Sequence, residues 1–210
     1  GMGEVYQATD NDDQQLVAIK FLRSDFEGDP EVQQRFIREI RIMESMKHDN
    51  IVPIYKYGVL DGSTLFYAMR LIKGMSFSTM LKRQRFSPQA YWHILKPVTE
   101  ALAFGHEQGV VHRDIKPDNI FVEKQDGAQK VFLGDFGLGK RKGVDVTLTE
   151  ADAIIGTPHY MSPESIMGER HDKRSDIYSL AVVSYEALIG MVPFNEEHAH
   201  QTAIAHVTQP

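Results

Sequence analysis

The stretch His112-Arg113-Asp114-Ile115-Lys116-Pro117-Asp118-Asn119 brings a proton acceptor, a cation and a metal-binding amide into one short loop. Those three groups together suit phosphoryl transfer. Asp114 can orient a hydroxyl and accept its proton, Lys116 can offset charge on the moving phosphoryl group, and the side-chain oxygen of Asn119 can hold a Mg²⁺. A His-Arg-Asp triplet arises readily by chance, so the assignment rests on the rest of the chain.

The elements that must position these groups are legible on both sides of the loop. Upstream, Ser87-Pro88 reads as an N-cap with proline after it, opening a helix with Leu95, Val98, Leu102 and Gly105 on one face that leads into the loop. Downstream, Ile120-Phe121-Val122 and Val131-Phe132-Leu133 are short apolar runs separated by the polar Glu123 to Lys130, the pattern of a β-hairpin. That hairpin sets the loop beside Asp135-Phe136-Gly137, so Asn119 and Asp135 lie at its two ends. Gly137 permits a sharp turn. Phe136 is expected to pack inward beside His112, which reads as a core histidine with a backbone partner.

The first third is strand-rich. In Val17-Ala18-Ile19-Lys20-Phe21 the alternation puts Ala18 and Lys20 on one face and Val17, Ile19 and Phe21 on the other. A small residue beside a lysine suits a nucleotide, with room for the base and a cation for the phosphates; an edge-strand lysine in solvent is the plain alternative. Asp29-Pro30 is a plausible N-cap followed by proline at the first helical position, and Phe36, Ile40, Met43 and Met46 recur at helical spacing. Glu39 points toward that apolar face, where a carboxylate needs a cation; a pair with Arg35 or Arg38 on the same helix is the alternative. Leu65 to Met69 reads as another strand, and a helix is expected around Glu197 to Val207.

Composition bounds the function. With 210 residues and 42% hydrophobic content the chain can bury a core as one domain or two lobes of one unit. A formal charge of −6 and no Lys/Arg-rich block argue against a nucleic-acid surface. Without cysteine there is neither a disulfide nor a cysteine metal site. The apolar stretch Leu180 to Phe194 is too short to span a bilayer and contains Glu186, so it reads as a buried helix, and no signal peptide is expected.

On these motifs the chain resembles the protein kinase superfamily over nearly its whole length. Val17-Ala18-Ile19-Lys20, Glu39, the His112–Asn119 loop, Asp135-Phe136-Gly137, the closing Gly156-Thr157-Pro158-His159-Tyr160-Met161-Ser162-Pro163-Glu164 and Asp176 follow in the family's order. Ser162 stands where the family usually has alanine. Lys116 resembles the serine/threonine branch, and the opening Gly1 to Tyr6 with Ser162-Pro163-Glu164 looks most like bacterial kinases of the eukaryotic-like class. The resemblance implies an α+β, two-lobed kinase fold, with a β-rich N-lobe holding one helix at 1–72 and a mainly helical C-lobe at 73–210. It also implies truncation at both ends, since Gly3 matches only the third glycine of the ATP-covering loop and family members continue past the last helix.

The implied activity is ATP-dependent transfer to Ser/Thr hydroxyls of proteins, with a catalytically inactive binding scaffold as the alternative. Asp114, Lys116, Lys20 and Glu39 would be catalytic, and Asn119 and Asp135 would hold Mg²⁺ or Mn²⁺. Gly3, Val5, Ala18, Lys20, Met69, Phe121 and the backbone of Arg70 and Ile72 would bind ATP, the hinge being Arg70 to Gly74. Between Gly137 and Glu164 runs a loop long enough to be functional, and Arg113 beside Asp114 can be paired by a phosphate placed on it. Thr149, with Thr147, is the expected phosphosite, and Thr157 would bridge Asp114 and Lys116. Glu164 would lack its arginine partner, which lies in a later helix of the family. Partners would be ATP, protein substrates and a second copy for autophosphorylation. The location would be cytoplasmic, with a longer parent tethered to the inner membrane.

Overall fold

The computed structural model describes residues 3–22, 30–125, 127–136 and 158–209. The chain forms two compact units, Gly1–Lys73 and Gly74–Pro210.

In the first unit the strands β1 (Gly3–Thr9), β2 (Leu16–Leu22), β3 (Ile54–Leu60) and β4 (Thr64–Arg70) form an antiparallel sheet in the order β1-β2-β4-β3. The register sets Ala18 opposite Gln7 and Met69, and Lys20 opposite Val5 and Tyr67. Directly opposed residues share a face, so Ala18, Lys20, Tyr67 and Met69 lie together. The other face carries a row of rings, Tyr6 against Phe21 and Phe21 against Phe66, at 5.8 and 6.2 Å between centroids. Helix α1 (Pro30–Ser45) starts with proline and buries Phe36, Ile40 and Met43. Arg41 Nε donates to Tyr57 Oη at 3.2 Å, which ties α1 to β3.

The second unit begins with a short strand the sequence did not announce, β5 (Gly74–Ser76), and runs directly into α2 (Phe77–Arg83). The long helix α3 (Pro88–Glu107) is capped as expected, Ser87 Oγ accepting from Ala90 N at 3.2 Å. Its core face is Tyr91, Ile94, Val98, Ala101, Leu102 and Gly105, so Ile94 takes the buried position expected for Leu95, which is half-buried. β6 (Ile120–Gln125) and β7 (Ala128–Leu133) form the hairpin, with Ile120 opposite Leu133 and Val122 opposite Val131, and β5 adds to its β6 edge.

Three helices complete the unit: α4 (Pro163–Ile166), α5 (Lys173–Ile189) and α6 (Ala199–Thr208). The apolar stretch expected as one helix to Phe194 stops earlier. Gly190 takes φ 92°, a left-handed C-cap suited to glycine, and its carbonyl receives Arg85 Nη1 at 2.8 Å. Among the described residues no helix is long and apolar enough to cross a membrane.

Candidate active site

The loop between α3 and β6 is built around one buried carboxylate. Asp176, in the first turn of α5 and 1% exposed, accepts the backbone N–H of His112 (Oδ2, 2.8 Å) and of Arg113 (Oδ1, 2.8 Å), and His106 Nε2 lies 2.7 Å from Oδ2. A buried carboxylate must be satisfied on both oxygens, and here the donors come from the loop itself. The consequence is mechanical: α5 fixes the loop's backbone. His106, on the last turn of α3, went unnoticed in the sequence, because nothing local links it to a residue far downstream.

Two non-glycine residues in this region have left-handed backbone, Arg113 (φ 68°) and Asp135 (φ 54°). Such conformations cost about 1–3 kcal/mol each and persist only where surroundings impose them. The Asp176 bonds hold the first. Beside the second, Gly134 donates its N–H to Asn119 O at 2.8 Å and its carbonyl lies 2.9 Å from His112 Nε2. His112 Nδ1 also accepts the Asp114 amide at 3.3 Å, so Nε2 carries the proton and the ring is neutral. Complete burial pushes its pKa down against the pull of nearby Asp176 and Asp114. Thus His112 joins the two ends of the hairpin.

Phe136 packs beside it with ring centroids 4.8 Å apart. The Phe136 ring also meets Gly105 of α3, where a Cβ would fall 2.4 Å from Cζ. Glycine is required there by this close approach.

The reactive groups converge on Asp114. Lys116 Nζ donates to Asp114 Oδ2 at 2.8 Å, and Asn119 Nδ2 donates to the same oxygen at 3.0 Å and to the Asp114 carbonyl at 2.8 Å. Among the described residues Oδ1 receives no hydrogen bond. The amide oxygen of Asn119 is correspondingly turned away from Asp114. Arg113 Nε is buried with no hydrogen-bond partner among the described residues.

Glu164 Oε1 accepts a hydrogen bond from Ser175 Oγ at 2.5 Å. Burial pushes its pKa up, but the hydrogen bonds from Ser175, its own backbone and Ser162, with His171 nearby, more than offset this and leave it below the usual carboxylate range. Gly137, Thr147, Thr149 and Thr157 lie outside the described residues.

In the first unit Lys20 is 9% exposed on the face it shares with Ala18 and Met69. Glu39 is half-buried on α1. Arg70 ends β4 and its N–H donates to Pro53 O at 3.0 Å, so of its backbone groups the amide is already engaged. Ile72 is half-buried, Val5 is exposed, and Gly3 begins β1; in the second unit Phe121 is half-buried.

A four-stranded sheet with one helix, a mainly helical unit, and a loop pinned in this way define a protein kinase fold. The chain belongs to the protein kinase domain family, whose profile matches residues 1–209. Over its full length it is 36% identical to the serine/threonine-protein kinases PknH of Mycobacterium bovis and PknA of Mycobacterium tuberculosis, spanning 35% and 49% of those proteins. PknE of Mycobacterium bovis is also 36% identical, with 36% of its length spanned. The crystal structure of the Mycobacterium tuberculosis PknI kinase domain superposes with a TM-score of 0.73 at 27% identity, over 93% of this chain and 72% of that one. The chain therefore spans a third to a half of the curated relatives it matches.

Proposed function

We propose that this chain is the catalytic domain of an ATP-dependent protein kinase that moves the γ-phosphate of Mg-ATP onto serine or threonine hydroxyls of proteins. The observation that carries the reading is the asymmetry of the Asp114 carboxylate: Oδ2 is held by Lys116 and Asn119, and among the described residues Oδ1 is left to accept a proton. A substrate hydroxyl bonded to Oδ1 is oriented for in-line attack, and Lys116 stands beside the same carboxylate to meet the charge of the incoming phosphoryl group. The outward amide oxygen of Asn119 and the carboxylate of Asp135 are hard oxygen donors that fit Mg²⁺, or Mn²⁺ in its place. When bound, that ion neutralises phosphate charge.

Lys20 serves the phosphates, with Gly3, Val5, Ala18, Met69 and Phe121 around the nucleotide. The base edge would meet the Arg70 carbonyl, since the Arg70 amide is engaged, and the Ile72 backbone. Glu39 pairs with Lys20 in this reading, and a swing of α1 that makes or breaks the pair is the switch. Arg113 Nε, without a hydrogen-bond partner among the described residues, supports activation by a phosphate on Thr149, with Thr147, placed by a second copy of the chain. The reading puts the domain in the cytoplasm, where ATP is, with a longer parent tethered to the inner membrane.

The test is transfer from Mg-ATP to the protein itself and to a generic basic protein, with Asp135→Ala as control and phosphosites mapped by mass spectrometry. Labelling at Thr147 or Thr149 that vanishes in the variant supports the reading. Absence of transfer, also from a version extended at both ends, would leave a binding scaffold.

A further inference from the structure

Charge is spread unevenly along this chain. Between Asp61 and Glu100 there is no acidic residue, although the whole carries 29 of them and a formal charge of −6. The same stretch holds six cations, and three of them, Lys82, Arg83 and Arg85, fall within four positions at the end of α2 and the start of the connection to α3. All three are exposed.

Helices α3 and α5 run antiparallel past one another. His106 meets Asp176 at the catalytic-loop end, Tyr91 Oη lies 2.9 Å from Ser184 Oγ further along, and Arg85 Nη1 donates to the Gly190 carbonyl at 2.8 Å at the other end. The 20 residues of α3 span about 30 Å, so this basic corner stands well away from Asp114. The Arg85 guanidinium lies across Gly190 so closely that a Cβ there would fall 2.1 Å from Nη1. Its bond goes to a neutral carbonyl, so that contact leaves its charge uncompensated. Ile189 and Met191, on either side of Gly190 in the chain, are 57% and 65% exposed. Cations and protruding apolar side chains thus share one corner of the unit.

We propose that this corner rests on an anionic membrane surface: Lys82, Arg83 and Arg85 meet lipid phosphates while Ile189 and Met191 enter the headgroup region between them. Basic residues near a negatively charged leaflet and apolar tips that reach the acyl boundary reinforce one another. The net negative charge of the chain opposes such binding, so the attraction has to be local to the corner. A bilayer suits it better than an acidic peptide does, because Ile189 and Met191 project from a helix end, and a bilayer receives such tips without the fitted pocket that a peptide anchor needs. The length of α3 keeps the Asp114 loop clear of the lipid, and the contact does not depend on the kinase reading.

The test is co-sedimentation of the full chain, at low salt, with vesicles of phosphatidylcholine alone and of phosphatidylcholine mixed with phosphatidylglycerol. Binding to the mixed vesicles and not to the neutral ones is expected. Lys82→Gln with Arg83→Gln should lower the partition coefficient roughly twenty- to thirtyfold, at about fivefold per cation, and Ile189→Ser with Met191→Ser roughly tenfold or more. Lys173→Gln with Arg174→Gln removes the same charge at the other end of α5 and should lower it by less than about threefold. Circular dichroism checks that each variant is folded. Absence of binding to the mixed vesicles overturns the proposal, as does an equal loss in the Lys173 and Arg174 variant, which would make the attraction general. Binding that the Ile189 and Met191 variant keeps in full also overturns it, leaving diffuse electrostatics alone. Capture of polyglutamate at this corner without vesicle binding would assign the corner to an acidic protein partner instead.

Discussion

Asp176 reaches back from α5 to Arg113 and accepts its amide at 2.8 Å, so a residue 63 positions away holds the loop that carries Asp114 in a left-handed conformation. Asp176→Asn removes one acceptor oxygen and turns an amide N–H toward existing donors. The cost is expected to be about 1–3 kcal/mol for each donor left unsatisfied. Urea unfolding with parallel transfer assays checks this; equal stability and activity would show that the loop holds its own shape.

Gly105→Ala places a Cβ 2.4 Å from Phe136 Cζ, and Phe136 is next to Asp135. Overpacking of this kind costs roughly 1–3 kcal/mol. Activity should fall together with the unfolding midpoint, and Phe136→Leu in the same chain should recover part of both by vacating the ring's volume.

Lys116→Met separates chemistry from stability. The Lys116–Asp114 pair is about 30% exposed at each side chain, so its contribution to folding is expected to be within about 1 kcal/mol. Transfer should nevertheless fall by roughly tenfold or more if the lysine offsets transition-state charge. A variant that loses stability but not rate would make the lysine structural.

Acid should weaken the fold through its buried histidines. Burial lowers the pKa of both His112 and His206. The unfolded chain then binds more protons than the folded one below the ordinary histidine value of about 6.5, so stability is full above that value and declines as pH falls toward the lowered folded values. Unfolding midpoints between neutral and mildly acidic pH should show this slope, and His206→Gln should flatten part of it.

Much of this site was legible because its signals are local. The Asp114, Lys116 and Asn119 spacing, the alternation around Lys20, the apolar runs of the β6–β7 hairpin and the Ser87-Pro88 cap each sit within a few residues. What escaped depends on long-range pairing. His106 matters through Asp176, Ser175 through Glu164, and Tyr178 through His206, and no periodicity marks such pairs. β5 has three residues and owes its existence to the β6 edge it joins, so no propensity announces it. That the Arg70 amide is engaged could not be read locally, because its acceptor, Pro53, comes from the loop before β3.

The most direct test of the central claim is single-turnover transfer by Asp114→Asn beside the wild type, with nucleotide binding measured on both. The substitution keeps the side chain's size but removes the proton acceptor at Oδ1. Transfer should drop by roughly 10²–10⁴-fold while ATP affinity stays within about twofold. Transfer by the variant at the wild-type rate would contradict the account, since the hydroxyl's proton would then go elsewhere.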